Sequence, residues 1–369
     1  MRKNRVSFLG LFFIPLILLA TVTLIQAPKA FSVNENRPLA QRPALSVKDI
    51  QTGSTQENFS AFLSDQVPLR DCWIKVNTFL KRLSGRTEIN GIYFGKDDYF
   101  FQQFTDDCYS YTRTASVFKM MDGIIQKHNI PTHVMLVPSP GTVLSDKLPE
   151  NAPYFDAGLV YDTADQLLSC PVIDLRNCFE SASDDTQLYY RTDHHWTTQG
   201  AYLAYQQYAS ACGNEPRAYR LKPVSNSFYG TLYSKTLSGS AKPDIVYAAS
   251  ELPAATITYE DGTILDTPYH PEKLAQKDQY TYFFGGNYGI VKIQTNALNT
   301  KKLLVIKDSF ANSFVPFLFD DYSEIIMLDL RYYGGSVEEV IAQEGVTQML
   351  FLYETSNFLT DTGILRLQK

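Results

Sequence analysis

Lys301-Lys302-Leu303-Leu304-Val305-Ile306-Lys307-Asp308-Ser309-Phe310, followed by Ala311 to Phe319, is the stretch that decides how this chain folds. Four consecutive apolar residues between lysines predict a short buried strand over Lys301 to Ile306. Lys307 to Phe310 then predict a turn, and Ala311 to Phe319 can start a helix. A strand that feeds a helix through a tight turn is the repeating unit of a parallel sheet. The same unit recurs along the chain. Thr114 to His128 has the apolar spacing of an amphipathic helix and leads into the apolar strand His133 to Val137, which ends at Pro138-Ser139-Pro140. Val172-Ile173-Asp174-Leu175, Glu324 to Leu330 and Gln348 to Tyr353 repeat it. The expected class is therefore α/β, with a parallel sheet flanked by helices on both faces.

In that frame Ser309 stands at the C-terminal end of a strand, beside a helix N-terminus, where open α/β sheets place their chemistry. The free N–H groups there can stabilise an oxyanion. Read alone, the same serine has the stronger reading of a helix N-cap. Its partners are found in Asp193-His194-His195-Trp196-Thr197-Thr198. A D-x-H pair on a turn lets a carboxylate orient one imidazole, which can take a proton from a serine hydroxyl distant in sequence. The expected roles are Ser309 as nucleophile, His195 as general base and Asp193 as orienting carboxylate. Trp196 packs the turn or borders the substrate. His194 is expected on the opposite side of a locally extended backbone, in a structural or surface role. Adjacent histidines rarely converge on one ion, and no H-x-x-x-H accompanies them, so neither a metal nor a cofactor is expected.

The 369 residues, 44% of them hydrophobic, suffice for a sizeable core. A net charge of -6, with no dense basic run beyond the extreme N-terminus, argues against nucleic acid as a partner. At that terminus Arg2, Lys3 and Arg5 precede an apolar stretch from Ser7 to Ile25, close to the roughly 20 residues that cross a bilayer as a helix. Ala27-Pro28-Lys29-Ala30 is a poor cleavage site, so residues 1–30 read as an uncleaved signal anchor rather than a removable signal peptide. The basic flank places the bulk of the chain on the outer face of the membrane. Residues 31–55, polar and carrying Pro38 and Pro43, read as a juxtamembrane tether. The globular part follows over 56–369. Asn58 to Leu83 predicts two helical pieces broken at Pro68, with Phe59, Phe62, Leu63, Trp73, Val76, Phe79 and Leu80 as a buried stripe. Ile89 to Phe101 predicts a hairpin turning at Gly95-Lys96-Asp97-Asp98. Residues 215–300, rich in Tyr, Ser, Gly and Pro, read as a β-rich insertion. Cys72, Cys108, Cys170, Cys178 and Cys212 lack C-x-x-C spacing; they leave open one or two disulfides or five small buried side chains.

Asp193-x-His195-Trp196-Thr197, preceding a strand that ends in Asp308-Ser309-Phe310, resembles the DHHW family, which is related to the alginate O-acetyltransferase group of SGNH-hydrolase-like proteins. Further segments carry the resemblance over nearly the whole chain: Glu35-Asn36-Arg37-Pro38-Leu39, Asp65-Gln66-x-Pro68-x-Arg70, Gly95-Lys96-Asp97-Asp98, Tyr229-Gly230-Thr231 and Gly285-Gly286-Asn287. Ordinary SGNH hydrolases place the serine first and the histidine block last. Here acid and base come first, so the resemblance implies a circularly permuted SGNH-like sheet. It also implies oxyanion or substrate contacts after the next two strands, from the backbone near Gly334-Gly335 and from the side chain of Asn357. Arg331 matches an arginine that alginate-type relatives place at the site mouth; pairing with Asp329 is its other reading.

The expected function is a membrane-anchored, extracytoplasmic serine O-acyltransferase that carries acetyl to a cell-envelope or secreted polysaccharide. A separate membrane-bound acyl-donor transferase is its expected partner. A carbohydrate esterase of the same fold, and a non-catalytic polysaccharide-binding or assembly protein, are the alternatives.

Overall fold

In the computed structural model, which describes residues 2–44 and 46–368, the apolar run quoted above is a strand hydrogen-bonded in parallel on both sides. The chain divides into two units: Met1–Asn90 with Tyr233–Ala241, and Gly91–Leu232 with Lys242–Lys369.

The first unit begins with the helix Arg2–Ile25, on which Leu11, Phe12, Ile14 and Ile17 are exposed. Among the described residues no helix is long and apolar enough to cross a membrane; the side chains of residues 2–9 lie outside that set. The expected tether is a folded element over much of its length. β1 (Phe31–Ser32) and β2 (Arg37–Pro38) pair antiparallel, and side chains clasp them to the helix Ser54–Gln66. Arg37 makes a two-pronged contact with Asp65 at 2.9 and 2.6 Å, and Asp65 also accepts the Ala40 N–H. Gln66 donates to the carbonyls of Lys29 and Ala40, and Arg70 pairs with Glu35. A guanidinium–carboxylate fork fixes two points at once, which polar, proline-bearing composition does not disclose. The hydrogen bond from Arg37, against the opposing effect of burial, holds the Asp65 carboxyl below its ordinary pKa.

A second helix, Arg70–Leu83, follows the break at Pro68. The expected buried stripe is not formed across these two helices. Phe62 is buried, but Phe59, Trp73, Val76, Phe79 and Leu80 are exposed. β3 (Glu88–Ile89) lies at the end of this stretch.

In the second unit β4 (Ile92–Phe94) and β5 (Phe100–Gln102) form the expected hairpin. Gly95 N–H donates to Tyr99 O across its turn at 2.8 Å. A side chain at Gly95 would meet Lys147 O at 2.4 Å, so only glycine fits this close approach. The strands that follow are β6 (Thr132–Val137), β7 (Val172–Asp174), β8 (Leu221–Phe228), β9 (Asp244–Ala249), β10 (Ala255–Tyr259), β11 (Ile264–Leu265), β12 (Ile290–Thr295), β13 (Lys302–Lys307), β14 (Glu324–Leu328) and β15 (Gln348–Glu354). Eight of them make the central sheet in the order β11-β10-β12-β14-β13-β15-β6-β7. β14, β13, β15, β6 and β7 run parallel, and these are the five strands expected from the recurring apolar runs. The β-rich stretch over 215–300 is divided. β8 and β9 form a separate antiparallel ribbon, whereas β10, β11 and β12 complete the central sheet as its antiparallel end. The buried Ile257 and Ile293 belong to the shared core rather than to a module of their own.

The pleat sends alternate residues of β13 to opposite layers. Leu303 and Val305 pack with Trp196, Ala201, Ala204 and Tyr205 on one face. Leu304 and Ile306 pack with Phe118, Met121, Val160 and Val340 on the other. Helices thus cover the sheet on both sides, and the sheet's C-terminal edge is left to the loops. All five cysteine thiols are free, Cys72 exposed and the others half-buried, so neither the disulfide nor the fully buried reading holds.

Candidate active site

Asp308 and Ser309 follow β13 directly, and the local geometry explains why they turn. Asp308 Oδ1 accepts the Phe310 N–H at 2.9 Å, the hydrogen bond of an Asx turn. Its Oδ2 accepts Glu354 N–H at 2.9 Å and Asn357 Nδ2 at 2.8 Å, which ties the turn to the end of β15. The helix expected over Ala311–Phe319 is a single α-turn, Ala311–Phe314, continued by the 3-10 turn Val315–Leu318. Pro316 lacks an N–H and clashes with a continuing α-helix. A one-turn helix has little macrodipole, so the oxyanion argument drawn from a long helix does not apply here.

The Asp193–Trp196 turn is pinned by an isolated bridge between Tyr189 and Trp196 and precedes the helix Thr198–Ala211, which Thr197 caps. This brings three residues, 114 positions apart at the extremes of the serine–histidine pair, into a line. His195 Nε2 lies 2.8 Å from Ser309 Oγ, and His195 Nδ1 lies 2.6 Å from Asp193 Oδ1. Nδ1–H donating to the carboxylate leaves Nε2 to accept the serine proton. Asp193 Oδ1 also accepts the His195 N–H at 3.0 Å, and Oδ2 accepts Thr231 N–H at 2.7 Å and Thr231 Oγ1 at 2.9 Å. Burial alone would raise the Asp193 pKa; His194, His195 and the Thr231 N–H outweigh it and hold the carboxyl well below its ordinary range. It is an anion with every lone-pair direction used.

His194 corrects its expectation. Its ring lies against that of His195, centroids 3.9 Å apart, and its Nδ1 contacts Thr231 Oγ1 at 2.8 Å. The turn is not extended enough to send the two rings to opposite sides. Asp193, His194 and His195 place three potential ligand atoms within 4.8 Å of one another. Those of Asp193 and His195 are already engaged in the serine relay. Trp196 is fully buried and donates to Phe310 O and Ser313 Oγ, which locks the histidine turn to the serine turn. It packs the turn and does not line a binding surface.

Asn357 reaches the nucleophile turn through Asp308. Arg331 forms a fork on Asp329 at 2.9 and 2.6 Å; burial opposes its charge, but Asp329 prevails and raises its pKa. Gly334 is exposed, with open space around its α-carbon.

Several contributors are not evident from sequence pattern. Tyr280 stacks flat on His195, centroids 3.7 Å apart and planes 11° off parallel, while its hydroxyl donates toward the carbonyls of Ser309 and Phe310 and contacts Ser313 Oγ. It therefore supports His195 and Ser309 together. Asp278, just before it, is half-buried, and desolvation and the Asp193 charge raise its pKa. Lys277 is pulled down to about 8 by burial. Gly230 leaves room for the acid: a β-carbon there would lie 2.2 Å from Asp193 Cβ. Lys307 is buried beneath the serine turn, donates to Asn312 Oδ1 at 2.7 Å and Asn287 Oδ1 at 3.4 Å, and has its pKa lowered to about 8 by burial. The only sequence signals for this group are the Tyr229-Gly230-Thr231 and Gly285-Gly286-Asn287 segments already noted.

Residues 92–268, which include Asp193 and His195 but not Ser309, match the family model described as the SGNH hydrolase-like domain of the acetyltransferase AlgX. No curated protein sequence matches the chain. Among solved structures, a DHHW family protein from Eubacterium siraeum is 23% identical, with 76% of this chain and 96% of that one aligned and a TM-score of 0.64. Bacillus cereus PatB1 is also 23% identical, over 72% of this chain and 97% of its own, at a TM-score of 0.60. The O-acetyltransferase domain of Pseudomonas putida AlgJ is 15% identical, over 75% and 98%, at 0.50. At these identities the likeness is one of fold. Residues 92–268 are thus similar to the SGNH hydrolase-like domain of the acetyltransferase AlgX, and the chain shares the fold of the DHHW family protein.

Proposed function

We propose that this protein is a membrane-anchored, extracytoplasmic serine O-acyltransferase that moves acetyl groups onto a cell-envelope or secreted polysaccharide. The observation that carries the reading is the line Asp193–His195–Ser309, with contacts of 2.6 and 2.8 Å at the C-terminal edge of a parallel sheet. A hydrogen bond of that length between base and hydroxyl disfavours a fold that keeps its shape but has lost its chemistry. The acid-base-serine order in the chain supports the permuted SGNH arrangement. The apolar surface exposed by Arg2–Ile25, behind Arg2, Lys3 and Arg5, supports an anchor with the remainder outside.

In this mechanism Ser309 Oγ attacks the acyl carbonyl while its proton passes to His195 Nε2. The imidazolium, held by Asp193, returns that proton to the leaving group, and acetyl remains on Ser309. A sugar hydroxyl then gives its proton to His195 and attacks the ester, which frees the serine. A separate membrane-bound acyltransferase would supply the donor. Water in place of the sugar makes the same site an esterase.

The test is intact mass and ester turnover of the full chain with a small activated acetyl ester, beside Ser309→Ala. The parent gains one acetyl and the variant none. Added glycans convert the adduct to acetylated sugar for a transferase and leave free acetate as the sole product for an esterase. A folded parent that neither gains the adduct nor turns over the ester overturns the reading.

A further inference from the structure

Among the longer helices described, Arg70–Leu83 has the strongest segregation of polar and apolar residues, and its apolar side faces outward. Placed at 100° per residue, Leu69, Cys72, Trp73, Val76, Phe79, Leu80 and Leu83 form one stripe. Trp73, Val76, Phe79, Leu80 and Leu83 are each about half exposed or more, at 49, 49, 64, 55 and 72%. The face turned inward is the narrow, partly polar one. Thr78 is its buried residue and donates to Thr236 O at 2.7 Å. A helix that seats itself on a threonine and presents tryptophan and phenylalanine to the outside inverts the usual arrangement of a globular surface.

Charge identifies what covers the stripe. Lys75 and Arg82 border it on one side and Lys81 on the other, with Arg86 just beyond the helix. Among the described residues Lys75 and Lys81 take part in no ion pair with the chain's own acids, whereas Arg70 is engaged by Glu35 and Asp65. Asp71, the helix's acidic residue, lies on the inward side and accepts from Asn34. An apolar stripe with Trp and Phe, bordered by cations, is the composition of a helix that lies in a lipid interface. Trp73 also has the required amphipathic form: its Nε1–H is satisfied by Pro68 O at 3.0 Å, and its ring remains outside. The same unit exposes a second apolar surface along Leu11 to Ile25.

We infer that Arg70–Leu83 is a membrane-surface helix, with its Trp73–Phe79–Leu80 stripe in the acyl-chain boundary and Lys75, Lys81 and Arg82 against anionic lipid headgroups. This requires neither the serine chemistry nor that Arg2–Ile25 span the bilayer.

The two tryptophans of the chain make the test direct. Trp196 is fully buried and bonded inside the serine site, so Trp73 alone can respond to lipid. The full chain is mixed with vesicles of equal parts phosphatidylcholine and phosphatidylglycerol, with and without brominated phosphatidylcholine, and flotation is followed beside emission. Bromolipid should quench Trp73 emission about twofold, and Trp73→Phe should lose the effect. Phe79→Glu combined with Leu80→Glu, both at exposed positions, should abolish quenching with ester turnover unchanged. Lys75→Glu with Lys81→Glu should remove the preference for phosphatidylglycerol. Flotation without quenching, or no flotation, overturns the inference. So does quenching suppressed by concentration-dependent self-association, which would assign the stripe to a second copy.

Discussion

One glycine sets the room in which Asp193 holds His195. Gly230 is a packing requirement of the acid, because any β-carbon there falls inside the Asp193 side chain, 2.4 Å from Oδ2. Gly230→Ala must therefore displace the carboxylate that holds the imidazole. A misplacement of about 1 Å in a catalytic group costs on the order of a hundredfold in rate. The expected outcome is a kcat for ester turnover lower by about that factor, with KM little changed, measured beside a thermal melt that shows the fold retained. An unchanged kcat would mean that Asp193 does not set the base. The local signals legible here were the D-x-H spacing and the strand-end serine. Tyr280 was not legible, and Thr231 stood only within a quoted segment with no role attached, because they reach the site across 29 and 38 positions of chain and no local pattern announces such contacts.

At the level of the element, one side chain ties the turn after β13 to the end of β15. Asp308 accepts from Phe310 N–H, Glu354 N–H and Asn357 Nδ2, and is itself buried. Removing it strands two buried donors and one half-buried donor, each buried one costing roughly 1–3 kcal/mol when left unpaired. Asp308→Ala is expected to lose about 3 kcal/mol of stability by denaturant titration and to depress turnover through a loosened Ser309. Asp308→Asn, which keeps one acceptor oxygen, should fall between. A variant as stable as the parent would show that the turn is held elsewhere. Sequence periodicity located this strand and turn but overextended the helix that follows, where Pro316 ends the α-turn.

For the whole molecule, pH is the informative variable. Glu354 ends β15 fully buried, with Oε2 accepting Ser356 Oγ at 2.5 Å and Asn357 N–H at 2.9 Å; Oε1 has no hydrogen-bond partner. Burial is the main cause that pushes its pKa from 4.5 to about 7. A folded-state value above the unfolded one means that stability is fully present below 4.5 and is lost as pH rises through about 7. The full effect is on the order of 3 kcal/mol. Glu354→Gln keeps the capping acceptor and removes the titration. Its stability relative to the parent should therefore climb across that window in denaturant titrations at several pH values. A parent–variant gap that stays flat would show that Glu354 does not change protonation there. The sequence by itself determined the five parallel strands, the hairpin at Gly95, and the three residues, Asp193, His195 and Ser309, that meet at the sheet's edge. Each of these is written in short-range periodicity or in a motif a few residues long. Tertiary structure alone decided the clasp of Arg37 on Asp65, the joining of β10–β12 to the central sheet, and the outward turn of the Trp73–Leu83 stripe. Hydrogen bonding between distant segments, and the question of which face of a helix finds a partner, depend on where the rest of the chain lies, which no local window of residues encodes.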